Sequence, residues 1–193
     1  MDQTKFENTV LYLLRRCFPD QPGLTVLLKM LYFADYEHYR QHLSPITGAD
    51  YVALERGPVV DGYKALFDEM TEKGIVTLFE ATNVGHQDKT WEYRPVGDPD
   101  LSLFSSTELD VLDLVAAHHG SETGVALSEK THLDGPWSLV WDARDQGRPI
   151  PYPLFRWLDN LPDETDLLEA KEHIESRPNV LARIKALQKS ASN

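Results

Sequence analysis

The chain has 193 residues, a length that fits one domain, or one domain with an appendage, around a buried core. Hydrophobic residues make up 41% of the sequence, which is typical of a globular rather than a disordered protein. The net charge is -12, and this argues against a nucleic-acid binder because phosphate neutralisation requires a basic face. An acidic field instead favours a basic protein partner.

Targeting signals are missing from the sequence pattern. The first residues lack the basic flank and apolar run of a signal peptide, and no stretch approaches the roughly 20 apolar residues needed to cross a bilayer. Cys17 is the single cysteine and cannot form a disulfide within the chain. We therefore expect a cytoplasmic protein that does not span a membrane.

Two helices are predicted at the start of the chain. Apolar residues recur at helical spacing over residues 5–17 and indicate the first. The second begins after Pro22-Gly23, and over residues 24–34 it is apolar almost all round, with Lys29 as its only charge. Such a helix is expected to be central and buried. Beyond Asp35 it becomes polar, so its second half is expected to emerge from the core.

The middle of the chain predicts a small amount of β-structure. Residues 44–48 have turn composition, and residues 51–54 are a short strand candidate. Gly57-Pro58 is interpreted as a strand-to-helix corner, with a helix from Val59 onwards that ends at Gly74. Strands at 75–79 and 91–94, joined by a polar loop, then form a hairpin. A helix followed by such a hairpin looks like a winged-helix arrangement.

Further helices are predicted in the second half. Ser105 and Glu108 have the spacing of a capping box, and helices are expected to follow at 106–119, 123–131 and 136–144. Four prolines in residues 148–162 predict an extended surface wrap. The expected fold class is α+β and predominantly α: a helical body with a small antiparallel β-hairpin. Residues 1–152 are expected to form the domain, and residues 153–193 a proline-punctuated wrap with a charged helical appendage.

Two motifs resemble ligand sites and are set aside. Residues 57–64 nearly match a phosphate-binding loop, but Tyr63 replaces the required lysine and Pro58 removes an amide hydrogen. His38 and His42 lie one turn apart, with Asp35 one turn before them. A metal site usually needs a further ligand from elsewhere, and none is indicated. We therefore expect no metal and no cofactor.

Catalysis finds little support, whereas DNA binding remains an alternative. Residues 120–124 lack the Gly-x-Ser-x-Gly elbow and join two helices, and Cys17 lies on an apolar helix face. The chain is therefore predicted not to be an enzyme. Residues 106–131 have the size of a helix-turn-helix, although the second helix is poor in side chains that read DNA. The alternative function is a winged-helix or helix-turn-helix regulator that binds its own operator.

A larger set of residues carries a family resemblance. Its members are Lys29, Leu31-Tyr32-Phe33-Ala34-Asp35, His38, Pro45-Ile46-Thr47-Gly48, Tyr51 and Gly57-Pro58-Val59, with weaker matches at Phe104-Ser105, Glu108, Thr131-His132, Pro136-Trp137, Ile150 and Tyr152. Their order resembles the Panacea domain, also called SocA-like, found in antitoxins of bacterial toxin–antitoxin pairs and in related phage proteins.

The resemblance implies a function in protein binding. The resemblance implies that the protein neutralises a cognate toxin by forming a direct complex with it, as members of the family do. A SocA-like member acts instead as an adaptor that delivers its toxin to a cytoplasmic protease. The expected partners are therefore a toxin and, in the adaptor case, a protease or chaperone. The toxins of the family vary widely, so the resemblance implies a mode of action without naming a target.

A polar and aromatic group of residues is the candidate partner-binding surface: Asp35, Tyr36, His38, Tyr39, Tyr51, Glu55 and Arg56. Tyrosine and arginine are enriched among interface hot spots because they bury a large area and still offer hydrogen bonds. The same group could equally form an internal polar network that supports the Gly57-Pro58 corner. The sequence leaves these two interpretations open.

Overall fold

The computed structural model describes residues 1–17, 21–82, 89–133 and 135–156. The predicted charged appendage lies almost wholly in residues 157–193, outside the described residues, and the division of the chain at residue 152 stays a prediction. Within the described residues, no helix has both the length and the apolar composition needed to span a membrane.

Helices dominate the described residues, and two small sheets accompany them. The helices are α1 (Gln3–Arg16), α2 (Leu24–His42), α3 (Tyr63–Glu72), α4 (Ser106–His119), α5 (Gly124–Leu133) and α6 (Pro136–Val140). The strands are β1 (Tyr51–Leu54), β2 (Gly57–Val60), β3 (Val76–Thr82), β4 (Lys89–Pro95) and β5 (Arg148–Pro149). The predicted fold class, a predominantly helical α+β body with small antiparallel sheets, is confirmed.

Helix α2 forms the centre of the core, as its apolar sequence predicts. It packs against α1, α4, α5 and β2 and against the 3₁₀ turn Tyr152–Arg156. Burial continues along α2 through Asp35 and Tyr36 as far as His38, so the helix emerges from the core only at its last residues, later than the sequence predicts. The reason is tertiary: the segment after the helix and the 3₁₀ turn both fold back onto this polar half.

The Gly57-Pro58 segment is a strand instead of a strand-to-helix corner. Strand β2 pairs antiparallel with β1, with Leu54 opposite Gly57, and α3 begins only at Tyr63. The helix predicted from Val59 was therefore wrong at its start. β2 is an edge strand in the order β2-β1-β5, where the missing N–H of Pro58 is tolerated.

The second hairpin and the capping box follow the sequence prediction. β3 and β4 pair antiparallel after α3. The side chain of Tyr93 packs on that of Phe67, with ring centroids 4.7 Å apart. At the start of α4, Ser105 accepts from the backbone N–H of Glu108, while the Glu108 side chain accepts from the backbone N–H of Ser105. Two orphan N–H groups of the helix are thereby satisfied.

Residues 148–155 are mostly buried, which corrects the predicted surface wrap for this part of the segment; residues 157–162 lie outside the described residues. β5 adds to the free edge of β1, and Ile150, Leu154 and Phe155 are all core residues. Phe155 contacts the ring of Tyr32 at 5.3 Å between centroids. Burying one such aromatic side chain contributes roughly 1.5–3 kcal/mol to the free energy of folding. The prolines of this segment therefore fix the backbone of a packed segment and not of a surface one.

Candidate protein-binding site

The carboxylate of Asp35 joins α2 to three later segments of the chain. Asp35 is fully buried, and its Oδ1 accepts the backbone N–H of Thr47 at 2.7 Å while Oδ2 accepts the Thr47 hydroxyl. The hydroxyls of Tyr51 and Tyr152 lie 2.9 Å and 3.0 Å from Oδ2. One carboxylate therefore ties the helix to the turn, to β1 and to the 3₁₀ turn.

Both tyrosine hydroxyls in this network have a second acceptor. The Tyr51 hydroxyl also lies 2.9 Å from the carbonyl oxygen of Leu31, and the Tyr152 hydroxyl lies 2.7 Å from the carbonyl oxygen of Ala49. Each hydroxyl carries one hydrogen, so the two tyrosines can donate either to the carboxylate or to the backbone. The network can thus be satisfied with Asp35 ionised or protonated.

Burial is the main influence on the titration of this network. Desolvation raises the pKa of Asp35, and the hydrogen bonds from Thr47, Tyr51 and Tyr152 offset only part of that increase. The pKa values of Tyr51 and Tyr152 are raised as well, first by burial and then by the nearby Asp35 carboxylate. These phenols stay protonated at neutral pH and remain hydrogen-bond donors.

Lys29 is a second buried polar group on α2. Its side chain is 1% exposed, and Nζ donates a 2.9 Å hydrogen bond to the carbonyl of Pro58. Desolvation lowers the pKa of Lys29 to about 7. Gly57 lies next to it with a φ of +102°, and a Cβ at Gly57 would overlap Lys29 Nζ. Only glycine satisfies both the backbone conformation and the close approach of the amine.

The two-residue tip of the β1–β2 hairpin is exposed between cavities. Glu55 and Arg56 line a cavity of about 320 Å³ on one side and one of about 530 Å³ on the other. A third cavity of about 580 Å³ is adjacent. Thr25 lines all three, and we call their combined surface the Thr25 groove; it also includes Gly124, Val125 and Trp91.

An aromatic stack fixes the hairpin tip on α5 and α6. The Nε1 of Trp137 donates to the carbonyl of Leu54 at 2.9 Å. His132 stacks on Trp137 with ring centroids 4.0 Å apart, and Trp137 stacks on Trp141 at 5.2 Å. The tip is therefore held from outside the sheet, and its two charged side chains start from a fixed backbone.

The structure divides the seven candidate residues by exposure. The buried members are Asp35, Tyr36, His38 and Tyr51. Tyr39 is half-buried and contacts Tyr152 at 5.3 Å between ring centroids. Glu55 and Arg56 are exposed. Asp35 and Tyr51 belong to the internal network described above. Glu55 and Arg56 lie on the surface, at the tip of the β1–β2 hairpin.

The two histidines of α2 differ in their surroundings. The Nδ1 of His38 donates to the carbonyl of Ser44, and Nε2 lies 3.3 Å from Thr107 Oγ1. His42 is exposed, and its ring centroid is 4.6 Å from that of His38. Across the ranges that the structure describes, no group of three or more His, Cys, Asp or Glu side chains could hold a metal ion.

Three contributors to the site were not among the candidate site residues: Lys29, Thr47 and Tyr152. Lys29 carried a usable signal, since it is the single charge in an apolar helix. Thr47 and Tyr152 carried none beyond their place in the resemblance, because Tyr152 reaches Asp35 from 117 residues away. Contacts across such a separation do not follow from local sequence.

Helix α5 offers little positive charge for DNA. Its one lysine, Lys130, forms an ion pair with Glu122 at 2.7 Å, and Glu129 is exposed on the same helix. A recognition helix needs side chains that reach phosphates and base edges.

One comparison with known proteins decides the family. The family model described as Antitoxin SocA-like, Panacea domain, matches residues 27–138, more than half of the chain. The chain belongs to this family. In this Panacea domain the matched region begins on α2 at Leu27. It includes Lys29 and Asp35 on that helix, the tip of the β1–β2 hairpin and α5. No curated protein and no solved structure matches the chain.

Proposed function

We propose that this Panacea domain neutralises a cognate toxin by direct complex formation through the Thr25 groove and the hairpin tip. Family membership supports an antitoxin-type role with a toxin as partner. The observation that carries the choice of surface is the position of Glu55 and Arg56, the exposed members of the polar and aromatic group, between two cavities.

The composition of the groove suits a protein interface. Val125 and Trp91 are 70% and 51% exposed, which is high for apolar side chains. Arg56 forms no ion pair within the described residues and stands beside Glu55. Exposed tryptophan and arginine next to concave surface are typical of interface hot spots. The net charge of -12 favours a basic partner, which the acidic field would also attract over distance.

The buried candidates support the interface indirectly in this proposal. Asp35, His38 and Tyr51 connect α2 to the segment that leads into the hairpin, and Lys29 contacts the hairpin at Pro58. We propose that they position the tip instead of touching the toxin. Tyr39, which is half-buried, is the one aromatic member that retains access to a partner.

The decisive experiment is co-expression with the product of the adjacent gene, followed by affinity purification and a growth assay. We expect a stoichiometric complex and relief of growth inhibition. Charge reversal at the tip, Arg56→Glu, together with Val125→Glu should abolish both. Lys64→Glu is the matched control, because Lys64 is exposed on α3 and lines none of the three cavities.

Toxin abundance separates blocking from delivery to a protease. If the protein blocks its toxin, toxin levels stay constant while growth recovers. If it acts as an adaptor, the toxin level falls and is restored when the cytoplasmic protease is removed. A complex that fails to form with the adjacent gene product, together with unrelieved growth inhibition, would refute the proposal.

A further inference from the structure

A buried lysine without a carboxylate partner lines one of the three cavities. Lys29 forms no ion pair within the residues that the structure describes, and the acceptor of its hydrogen bond is a neutral carbonyl, that of Pro58. An ammonium group carries three donors. Burying an unpaired charge is costly, so a lysine in this position either gives up its proton or is completed by an anion.

The cavity beside Lys29 has the size and walls of a ligand pocket. Its volume of about 320 Å³ falls at the lower end of the range of roughly 300–1,000 Å³ found for ligand sites. Apolar side chains form much of its lining: Leu24, Leu28, Leu54 and Val59. Gly57 also lines it, and the missing Cβ leaves the space that Lys29 Nζ approaches.

A second cation stands on the same cavity. Arg56 lines it, is exposed, and forms no ion pair in the described part of the chain. The one carboxylate among the lining residues is that of Glu55. A guanidinium and an amine on one concave surface can hold a single carboxylate between them through charge-assisted hydrogen bonds. The apolar lining then accommodates the rest of a small molecule.

We propose that this cavity binds a small organic monocarboxylate, held by its carboxylate between Lys29 Nζ and Arg56, with its apolar part against Leu28 and Val59. Glu55 on the same cavity disfavours a dianion such as phosphate through like-charge repulsion. The inference goes beyond toxin binding and does not depend on it, because it concerns the protein without its partner.

Binding is coupled to a proton. Because burial lowers the pKa of Lys29 to about 7, part of the population is neutral at pH 7 and takes one proton from solvent when the carboxylate binds. The other titratable groups near Lys29 are Glu55, Arg56 and Tyr63 around the cavity and His132 on α5, whose pKa is lowered by burial and by Lys29. Glu55 forms no ion pair with Lys29 within the described residues, so the bound anion supplies the counter-charge at Lys29 Nζ.

The test is an NMR titration of the full chain with ¹³Cε-labelled lysine, using sodium isobutyrate as the probe and sodium chloride and inorganic phosphate as comparisons. We expect one lysine signal to shift saturably with isobutyrate alone, and its titration midpoint to rise. The shift should be lost in Lys29→Met and unchanged in Lys64→Met. In Arg56→Gln we expect affinity about tenfold weaker, equivalent to about 1.4 kcal/mol.

Two results would overturn the inference. One is an equal response to chloride or phosphate, which would leave no selectivity for a monocarboxylate. The other is an isobutyrate affinity that Arg56→Gln does not change, and this variant decides the matter if Lys29→Met does not fold, since Arg56 is exposed. The titration contains no toxin, so its failure and the failure of complex formation are separate outcomes.

Discussion

The hydroxyl of Tyr152 lies 3.0 Å from Asp35 Oδ2 and 2.7 Å from the carbonyl of Ala49. This contact connects the end of the described chain to the central helix across 117 residues. It also places a donor on a carboxylate that is fully buried. The segment from Arg148 to Arg156 is therefore held by a polar contact as well as by the burial of Leu154 and Phe155.

Removing the Tyr152 hydroxyl should destabilise the protein. Tyr152→Phe leaves Asp35 with one donor fewer in a buried site, and we expect the free energy of unfolding to fall by about 1–3 kcal/mol. Urea denaturation followed by circular dichroism measures this change. Tyr63→Phe is the control, since the structure gives the Tyr63 hydroxyl no hydrogen bond within the described residues, and it should change stability little.

Stability should depend on pH through Asp35. Burial raises its pKa above the unfolded value of about 3.9, so the stabilisation is complete below that value and is lost as pH rises through the folded pKa. Relative to Asp35→Asn, the wild type should therefore lose stability as pH rises above about 4, by about 1.4 kcal/mol for each unit of pKa increase.

Denaturation of both proteins at several pH values from about 4 upwards provides the measurement. Asp61→Asn, at an exposed aspartate after β2, is the control and should run parallel to the wild type. A constant difference between the wild type and Asp35→Asn would contradict the raised pKa.

Lys29 should have the opposite pH dependence. Its folded pKa of about 7 lies below the unfolded value of about 10.4, so the unfolded chain binds a proton that the folded chain lacks between these values. Stability should rise with pH from about 7 to 9, with a slope near 1.4 kcal/mol per pH unit. Lys29→Met should remove that slope and be more stable than the wild type at pH 7. The same slope in both proteins would show that Lys29 is charged when folded.

Gly57 should tolerate no side chain. In Gly57→Ala the new Cβ meets Lys29 Nζ, and the φ of +102° is strained for alanine. We expect a loss of about 2 kcal/mol or more in the free energy of unfolding. Gly74→Ala separates the two causes, because Gly74 has a φ of +69° and open space around its Cα. It should cost only about 1 kcal/mol, and equal losses at both positions would remove the clash as an explanation.

Local sequence was sufficient where a structure depends on neighbouring residues. The capping box at Ser105 and Glu108, the β3–β4 hairpin and the burial of the first half of α2 all follow from short-range patterns, and the structure confirms them. Helical periodicity and turn residues report local preference, which decides such elements. The family resemblance was likewise carried by an ordered run of residues, and the family match confirms it.

The sequence by itself thus determined the helical class of the fold, the central position of α2 and the antiparallel hairpin. Only the tertiary structure decided the pairing of Gly57 with Leu54, the burial of α2 as far as His38, and the contact of Tyr152 with Asp35. Their physical reason is shared: each depends on a segment distant in sequence that supplies the hydrogen-bond partner or covers the surface. A polar side chain such as Asp35 is predicted from local sequence to be exposed, because the distant segments that supply its hydrogen-bond donors are not visible there.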